Sequence, residues 1–130
     1  MAQESQVATI VLVIEDETDL LHMIVEYLGK RGYRATGCTT LMAARKALET
    51  STHDAVLADI RLPDGDGVSF CLENAPRLPN ARWILMSGDH ELVRDGQRAR
   101  DIASMPAFTI VDKPVPLRLL ERILKQPLAK

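Results

Sequence analysis

The chain has 130 residues, a formal net charge of −2 and 46% hydrophobic residues, which is typical of a single globular domain with its own core. No apolar run approaches the ~20 residues needed to cross a bilayer, and the slightly acidic balance argues against sequence-independent binding of nucleic-acid backbones. The first residues, MAQESQ, carry no basic-then-apolar leader, so we expect cytoplasmic residence and no membrane association.

Apolar runs rich in Val and Ile predict five strands along the chain. They cover residues 8–14, 33–38, 54–59, 81–87 and 107–112, and the run at 33–38 is the weakest. None alternates cleanly between apolar and polar residues, a pattern typical of strands covered on both faces.

Apolar residues at three- and four-residue spacing predict helices between the strands. We expect the first helix to stop near Gly29 and Gly32, and the second to begin after Thr39 or Thr40. The last helix has Pro116 near its first turn, where a missing N–H does no harm. The apolar positions of the four clear helices are Leu20, Leu21, Ile24, Val25 and Leu28; Leu41, Ala44 and Leu48; Val68, Cys71 and Leu72; and Leu117, Leu120, Ile123 and Leu124.

The stretch from 89 to 106 is harder to interpret, because Gly96 interrupts it and few apolar residues are properly spaced. We expect a short or mobile helix there, poorly packed and able to change conformation at low cost. Its basic residues Arg94, Arg98 and Arg100 are interpreted as a solvated helix face.

The alternation of strands and helices predicts an α/β fold with a doubly wound, five-stranded parallel sheet in the order 2-1-3-4-5 and five helices. Residues 7–126 would form this domain, with short tails at 1–6 and 127–130. Cys38 and Cys71 match no metal or redox spacing, and we expect free thiols.

Ligands of open parallel sheets bind at the carboxyl ends of the strands. Those ends carry Glu15 and Asp16 after the first strand, Asp59 after the third, Ser87 after the fourth and Lys113 after the fifth. In the expected order the first and third strands are neighbours, so the three carboxylates converge.

Three adjacent carboxylates need a counter-charge to stay ionised. Oxygen ligands without His or Cys suit a hard cation, and a site with few carboxylates and room for water favours Mg²⁺ over Ca²⁺. A carboxylate beside Mg²⁺ can act as a nucleophile towards a phosphoryl group. The residues therefore predict an aspartyl phosphate on Asp59, with Lys113 and the Ser87 hydroxyl stabilising the phosphoryl oxygens.

The segments VLVIEDE, DAVLADIRLPDGDG, WILMSGD and VDKPV, in this order, resemble the receiver domain of two-component response regulators over almost the whole chain. The resemblance implies a flavodoxin-like, regulatory phospho-acceptor domain that receives its phosphoryl group from a histidine kinase or histidine phosphotransfer protein, with some self-phosphorylation and autodephosphorylation chemistry. It also implies a cis bond between Lys113 and Pro114. The implied site residues are the acidic pair Glu15 and Asp16, the acceptor Asp59, the backbone carbonyl of Arg61 as a further metal ligand, the switch hydroxyl Ser87, and Lys113.

The sequence departs from the family pattern at three places. Ile110 stands where an aromatic switch residue is common, with Phe108 two positions away. The interval from Ser87 to Lys113 is a few residues longer than usual. Ser87 and Glu15 replace the commoner Thr and Asp, which keeps the chemistry.

Other functions remain open at this point. A phosphorylation-independent receiver-like module is one alternative. A phosphohydrolase of the haloacid dehalogenase type would usually have a second Asp where this chain has Arg61, and a nucleotide or flavin site conflicts with the acidic IEDETD loop. The output partner, a homodimer through the last helix, and the choice between a stand-alone protein and a fragment of a longer regulator or hybrid kinase are not decided by the sequence.

The remaining acidic residues have local explanations. Asp64 and Asp66 are expected to be turn residues beside Gly65 and Gly67, without a ligand role. Glu17 and Asp19 are expected in the first turn of the first helix, where the helix dipole favours negative charge.

Overall fold

The computed structural model describes residues 8–88, 100 and 108–127. Its main sheet has five parallel strands in the order β2-β1-β3-β4-β5, as predicted. Their bounds are Ile10–Ile14 (β1), Arg34–Cys38 (β2), Ala55–Asp59 (β3), Arg82–Ser87 (β4) and Phe108–Asp112 (β5). A short antiparallel ladder pairs Arg61–Leu62 with Gly65–Asp66 directly after β3.

The described residues form four α-helices. Their bounds are Thr18–Lys30 (α1), Leu41–Thr50 (α2), Gly67–Asn74 (α3) and Leu117–Lys125 (α4, the C-terminal helix), and a single 3₁₀ turn follows α3 at Ala75–Arg77. The helix predicted within 89–106 falls outside the described residues except at Arg100, which is helical. None of the described helices is long and apolar enough to cross a membrane.

Helix ends follow the local chemistry. Thr40, and not Thr39, caps α2 by accepting a hydrogen bond from the Ala43 N–H at 3.2 Å. Helix α1 ends at Lys30, one residue after Gly29, and Gly32 has a φ of 96°, a conformation that few other residues adopt. Pro116 is the N-cap residue of α4.

Burial across the sheet depends on strand position. Every residue of β3 and β4 is buried, and so are Val11–Ile14 in β1. Strand β2 lies at the edge of the sheet and is mostly exposed, so the expectation that all strands are covered on both faces is wrong for β2. Its polar residues Arg34 and Thr36 are exposed at this edge.

The sheet separates two apolar layers, because successive strand residues point to opposite faces. One layer joins Leu12 and Ile14 to α2 and α3, and it contains Trp83, whose ring centroid lies 6.2 Å from that of Phe70. The other joins Val11 and Val13 to α1 and α4. Complete burial of each large aliphatic or aromatic side chain contributes about 1.5–3 kcal/mol to the stability of the fold. The two apolar layers therefore stabilise the sheet whose carboxyl edge carries the site residues.

Candidate functional site

The sequence-predicted site residues lie at one edge of the sheet because parallel strands end together. Glu15 and Asp16 directly follow β1, Asp59 is the last residue of β3 and Ser87 the last of β4. Strand pairing sets Asp59 opposite Met86, the neighbour of Ser87. The backbone N–H of Lys113 donates to the Ser87 carbonyl at 2.9 Å, which brings the end of β5 to the same edge.

Glu15, Asp16 and Asp59 form a compact carboxylate cluster. One carboxylate oxygen from each residue lies within 4.8 Å of the others. Glu15 has no exposed surface and Asp59 is only 7% exposed, whereas Asp16 is exposed. The structure therefore brings together the three side chains that the sequence assigned to metal binding, with one of them open to solvent.

Lys113 reaches into this cluster. Its Nζ lies 2.8 Å from Glu15 Oε1 and donates a hydrogen bond to Asp59 Oδ2 at 3.0 Å. Burial lowers the pKa of Lys113, but the hydrogen bonds to the two carboxylates raise it more, and the net pKa lies above its ordinary value. The ammonium is consequently charged at neutral pH.

Glu15 is the carboxylate most affected by burial. Desolvation raises its pKa above the ordinary value, and the nearby Asp59 charge acts in the same direction. The Lys113 ammonium and the Glu17 N–H, which donates to Glu15 Oε2 at 3.0 Å, oppose that shift. The positive charge of Lys113 therefore favours the ionised form of Glu15.

The charges of the cluster do not cancel among the residues that the structure describes. Three carboxylates face one ammonium, and a divalent cation would neutralise the remainder. The donor set consists of carboxylate oxygens, which hard cations prefer, and solvent reaches it at Asp16. The residues present thus fit a hard divalent cation.

Two other predicted site residues, Ser87 and Arg61, lie in or just after the strands that end at the carboxylate cluster. Ser87 is 1% exposed at the end of β4. Arg61 lies two residues beyond Asp59, in the short ladder and paired with Asp66. The Lys113-Pro114 bond is cis, as the resemblance implies.

Gly67 was not recognised from the sequence as a functional position. A Cβ at residue 67 would lie 2.1 Å from the Asp59 carbonyl oxygen, and the Gly67 N–H donates to the Ile60 carbonyl at 2.7 Å. The available signal was a glycine at the first position of a helix, where most residues are more favourable. Gly67 allows α3 to begin directly against the acceptor residue.

Asp64 and Asp66 are more than turn residues, because each also caps a helix. Asp66 caps α3, accepting from the Val68 N–H at 2.9 Å and the Ser69 hydroxyl at 3.2 Å. Asp64 accepts from the first two N–H groups of α2 at 2.9 and 3.0 Å. Sequence reasoning could not identify that cap, since the partners lie more than twenty residues away.

The local expectations hold for Asp19 and the two cysteines, whereas Glu17 lies one position before the first turn of α1. Asp19 lies in the first turn of α1 and Glu17 is its N-cap residue. Cys38 and Cys71 are free thiols. Ile110 pairs with Leu85 and packs, partly buried, on the layer that contains α2 and α3.

A surface cavity of about 560 Å³ lies at the opposite edge of the sheet. It is lined by the α2–β3 loop at 48–54 and by residues 77–81 before β4. None of the acidic cluster contributes to its wall, so it is separate from the carboxylate site.

Residues 11–125 match the family model of the response regulator receiver domain. The chain is 34% identical to the transcriptional regulatory protein CssR of Bacillus subtilis over 77 residues, which cover 59% of this chain and 34% of CssR. It is 28% identical to the response regulator protein PilR of Pseudomonas aeruginosa over 116 residues, 87% of this chain and 24% of PilR. The matches thus span about a third or less of these relatives' length.

Solved structures agree with the fold. A CheY-like response regulator receiver domain from Methylobacillus flagellatus superposes with a TM-score of 0.75 at 25% identity, covering 92% of this chain and 98% of that one. A Burkholderia pseudomallei response regulator, solved with a phosphorylated aspartic acid, calcium ion and citrate, gives 0.77 at 19% identity, with 91% and 67% covered. With the family match over residues 11–125, the chain therefore belongs to the receiver domains of response regulators, the regulatory domains of two-component signalling.

Proposed function

We propose that this receiver domain accepts a phosphoryl group on Asp59 from a histidine kinase or a histidine phosphotransfer protein, and thereby regulates a partner or an output domain. The observation that carries the proposal is the convergence of Glu15, Asp16 and Asp59 around the Lys113 ammonium. Clustered carboxylates beside a cation are what aspartyl phosphorylation requires, and they are difficult to explain as packing.

In the transfer step, an Asp59 carboxylate oxygen attacks phosphorus while the bond from phosphorus to the donor atom breaks, and the donor retains that electron pair. Lys113, already held 3.0 Å from Asp59 Oδ2, balances charge on the phosphoryl oxygens. The Ser87 hydroxyl donates a hydrogen bond to one of them. Catalysis here is mainly positioning and charge stabilisation. A small phosphodonor would react by the same route. In autodephosphorylation, water would attack phosphorus, the bond from Asp59 to phosphorus would break, and inorganic phosphate would leave.

We assign Mg²⁺ binding to Glu15, Asp16, Asp59 and the backbone carbonyl of Arg61. When bound, the ion would neutralise charge on the phosphoryl oxygens. The excess of carboxylates over ammonium groups and the solvent exposure of Asp16 support this assignment.

Phosphorylation would shift a two-state equilibrium. The new charge would draw Ser87 towards the phosphoryl group. Ser87 pairs with Asp112 at the end of β5, so its displacement would reach β5, Ile110 included, and the output face expected from the sequence, which combines the predicted fourth helix, strand five and the C-terminal helix. That face would contact the regulated partner.

The free thiols support cytoplasmic residence, since reducing compartments favour unpaired cysteines.

The test is intact mass after incubation with Mg²⁺ and acetyl phosphate. Wild type should gain one phosphoryl group only when Mg²⁺ is present, and Asp59→Asn should gain none. Asp54→Asn is the matched control, because Asp54 directly precedes β3 at its opposite end and accepts from the Ile10 N–H. It should be labelled like wild type. A folded wild type that gains no mass while another receiver is labelled would refute the proposal and favour the phosphorylation-independent module.

A further inference from the structure

The loop that follows Asp59 is attached to a helix distant in sequence. The two carboxylate oxygens of Asp64 accept separate hydrogen bonds from the backbone N–H groups of Leu41 and Met42, at 2.9 and 3.0 Å. The first N–H groups of a helix have no acceptor within the helix. Asp64 thus satisfies two of them from another part of the chain and places its charge at the positive end of the α2 dipole.

Packing supports the same contact. Gly65 has a φ of 152°, and a Cβ there would lie 2.9 Å from Leu41 Cδ1, so the loop rests against the first turn of α2. Leu62, in the same loop, packs on the apolar layer that includes Leu41. The hydrogen bonds from Leu41 and Met42 hold the pKa of Asp64 below its ordinary value, so the carboxylate is charged at neutral pH.

Helix α2 has other supports at this end. Thr40 already provides its own cap through the Ala43 N–H. Arg45, one turn later, lies 3.5 Å from Glu73 of α3 and 5.5 Å from the centre of the Phe70 ring. Because α2 is capped and anchored without Asp64, the carboxylate matters more for the loop than for the helix.

The two ends of the loop are fixed independently. Asp59 belongs to β3, and at the other end the Gly67 N–H donates to Ile60 while Asp66 caps α3. The middle, from Arg61 to Asp64, contains the backbone carbonyl assigned to the metal. Arg61 and Leu62 pair there with Asp66 and Gly65 of the same loop, and Asp64 links this ladder to α2. We propose that Asp64 is a positioning residue of the phospho-acceptor site, which holds this middle segment, and with it the Arg61 carbonyl, against the first turn of α2. The inference rests on the proposed function.

Removal of the Asp64 carboxylate should therefore lower the affinity for Mg²⁺ more than it lowers the rate of Asp59 phosphorylation at saturating Mg²⁺. In Asp64→Ala the loop ladder would lose its hydrogen bonds to α2 and would have to be positioned as Mg²⁺ binds, so the affinity for Mg²⁺ should fall about tenfold, as for other outer-sphere partners. At saturating Mg²⁺ the rate of Asp59 phosphorylation by acetyl phosphate should return to that of wild type. This combination separates positioning of a ligand from direct participation in phosphoryl transfer.

Two variants provide controls. Thr40→Ala removes the cap from the same helix end without touching the loop, so it should bind Mg²⁺ like wild type. Asp64→Asn keeps one oxygen acceptor, enough for one of the two α2 amides, and Asn is also a good cap, so this variant should recover part of the affinity. If the charge of Asp64 alone attracted the metal, Asn would be as weak as Ala.

The measurements are Mg²⁺ titration by calorimetry for the four proteins and hydrogen exchange of wild type with and without Mg²⁺. Coupling between Mg²⁺ binding and the contact of Asp64 with α2 is reciprocal. Mg²⁺ should therefore increase the protection of the Leu41 and Met42 amides from hydrogen exchange, and this measurement on wild type does not depend on the folding of a variant. Unchanged protection, wild-type affinity in Asp64→Ala, or equal weakening in Thr40→Ala would overturn the inference. Failure of the proposed function is distinguishable, because wild type itself would then bind no Mg²⁺ or gain no phosphoryl group on Asp59.

Discussion

Substitution of Gly67 by Ala tests how closely the acceptor strand and α3 are packed. The added Cβ would lie 2.1 Å from the Asp59 carbonyl oxygen and 3.2 Å from Ile60 Cα, whereas contacts under 3.0 Å essentially never occur. Both neighbours are backbone, so no side-chain rotation relieves the overlap. The two segments must separate by about 0.9 Å, and the part of this shift that falls on β3 carries Asp59 and Arg61 away from Glu15 and Lys113.

The expected loss has a structural part and a functional part. Overpacking of this kind costs about 1–3 kcal/mol of unfolding free energy, and a misplacement of about 1 Å at a reacting group costs on the order of 100-fold in rate. Urea denaturation gives the first quantity and the initial rate of labelling by acetyl phosphate gives the second. Gly29→Ala is the control, because nothing lies within 4 Å of a Cβ there and α1 continues through it. That control should gain about 0.5–1 kcal/mol and keep its labelling rate.

The reasoning would be refuted by a Gly67→Ala protein that is as stable as wild type and is labelled at the same rate. Loss of stability with an unchanged labelling rate would show that the backbone of α3 moves and Asp59 does not.

Two further changes test the ion pairs. Lys113→Met should slow phosphorylation of Asp59 about 100-fold. Mg²⁺ should bind this variant at least as tightly as wild type, because the ammonium that competes for Glu15 and Asp59 is gone. Weaker Mg²⁺ binding by calorimetry would contradict this. Glu121 is buried between α4 and α1, and the hydrogen bond from Arg31, together with other contacts, lowers its pKa below the ordinary 4.5. The folded state then binds fewer protons than the unfolded state, so this stabilisation is complete above pH 4.5 and is lost as the pH falls further. Glu121→Gln should accordingly be less stable than wild type in urea at neutral pH, with the difference disappearing in acid; a difference independent of pH would contradict the assignment.

Elements with strong periodicity were predictable. The runs that became β1, β3 and β4 are largely apolar, and their predicted bounds differ from the structure by at most two residues. The polar residues that end those strands indicated the location of the candidate functional site. Strand order and convergence followed from general rules for parallel sheets, which is why the carboxylate cluster was predictable before any coordinates.

Other features depend on contacts that sequence patterns do not encode. Asp64 and Asp66 occupy similar turn sequences, yet one caps the next helix and the other caps a helix more than twenty residues earlier. The exposure of β2 follows from its position at the sheet edge, which its weak apolar character indicated only in part. The hydrogen bonds of Glu121 with Tyr27 and Arg31 join residues about ninety positions apart, and no sequence motif predicts them.

The two apolar layers on either side of the sheet carry different chromophores. The single tryptophan, Trp83, lies in the layer with α2 and α3. Both tyrosines, Tyr27 and Tyr33, lie in the layer with α1 and α4. Indole and phenol signals can be separated by wavelength, so one unlabelled sample reports the melting of each layer independently. Coincident curves would mean that the sheet transmits unfolding from one side to the other as a single cooperative event.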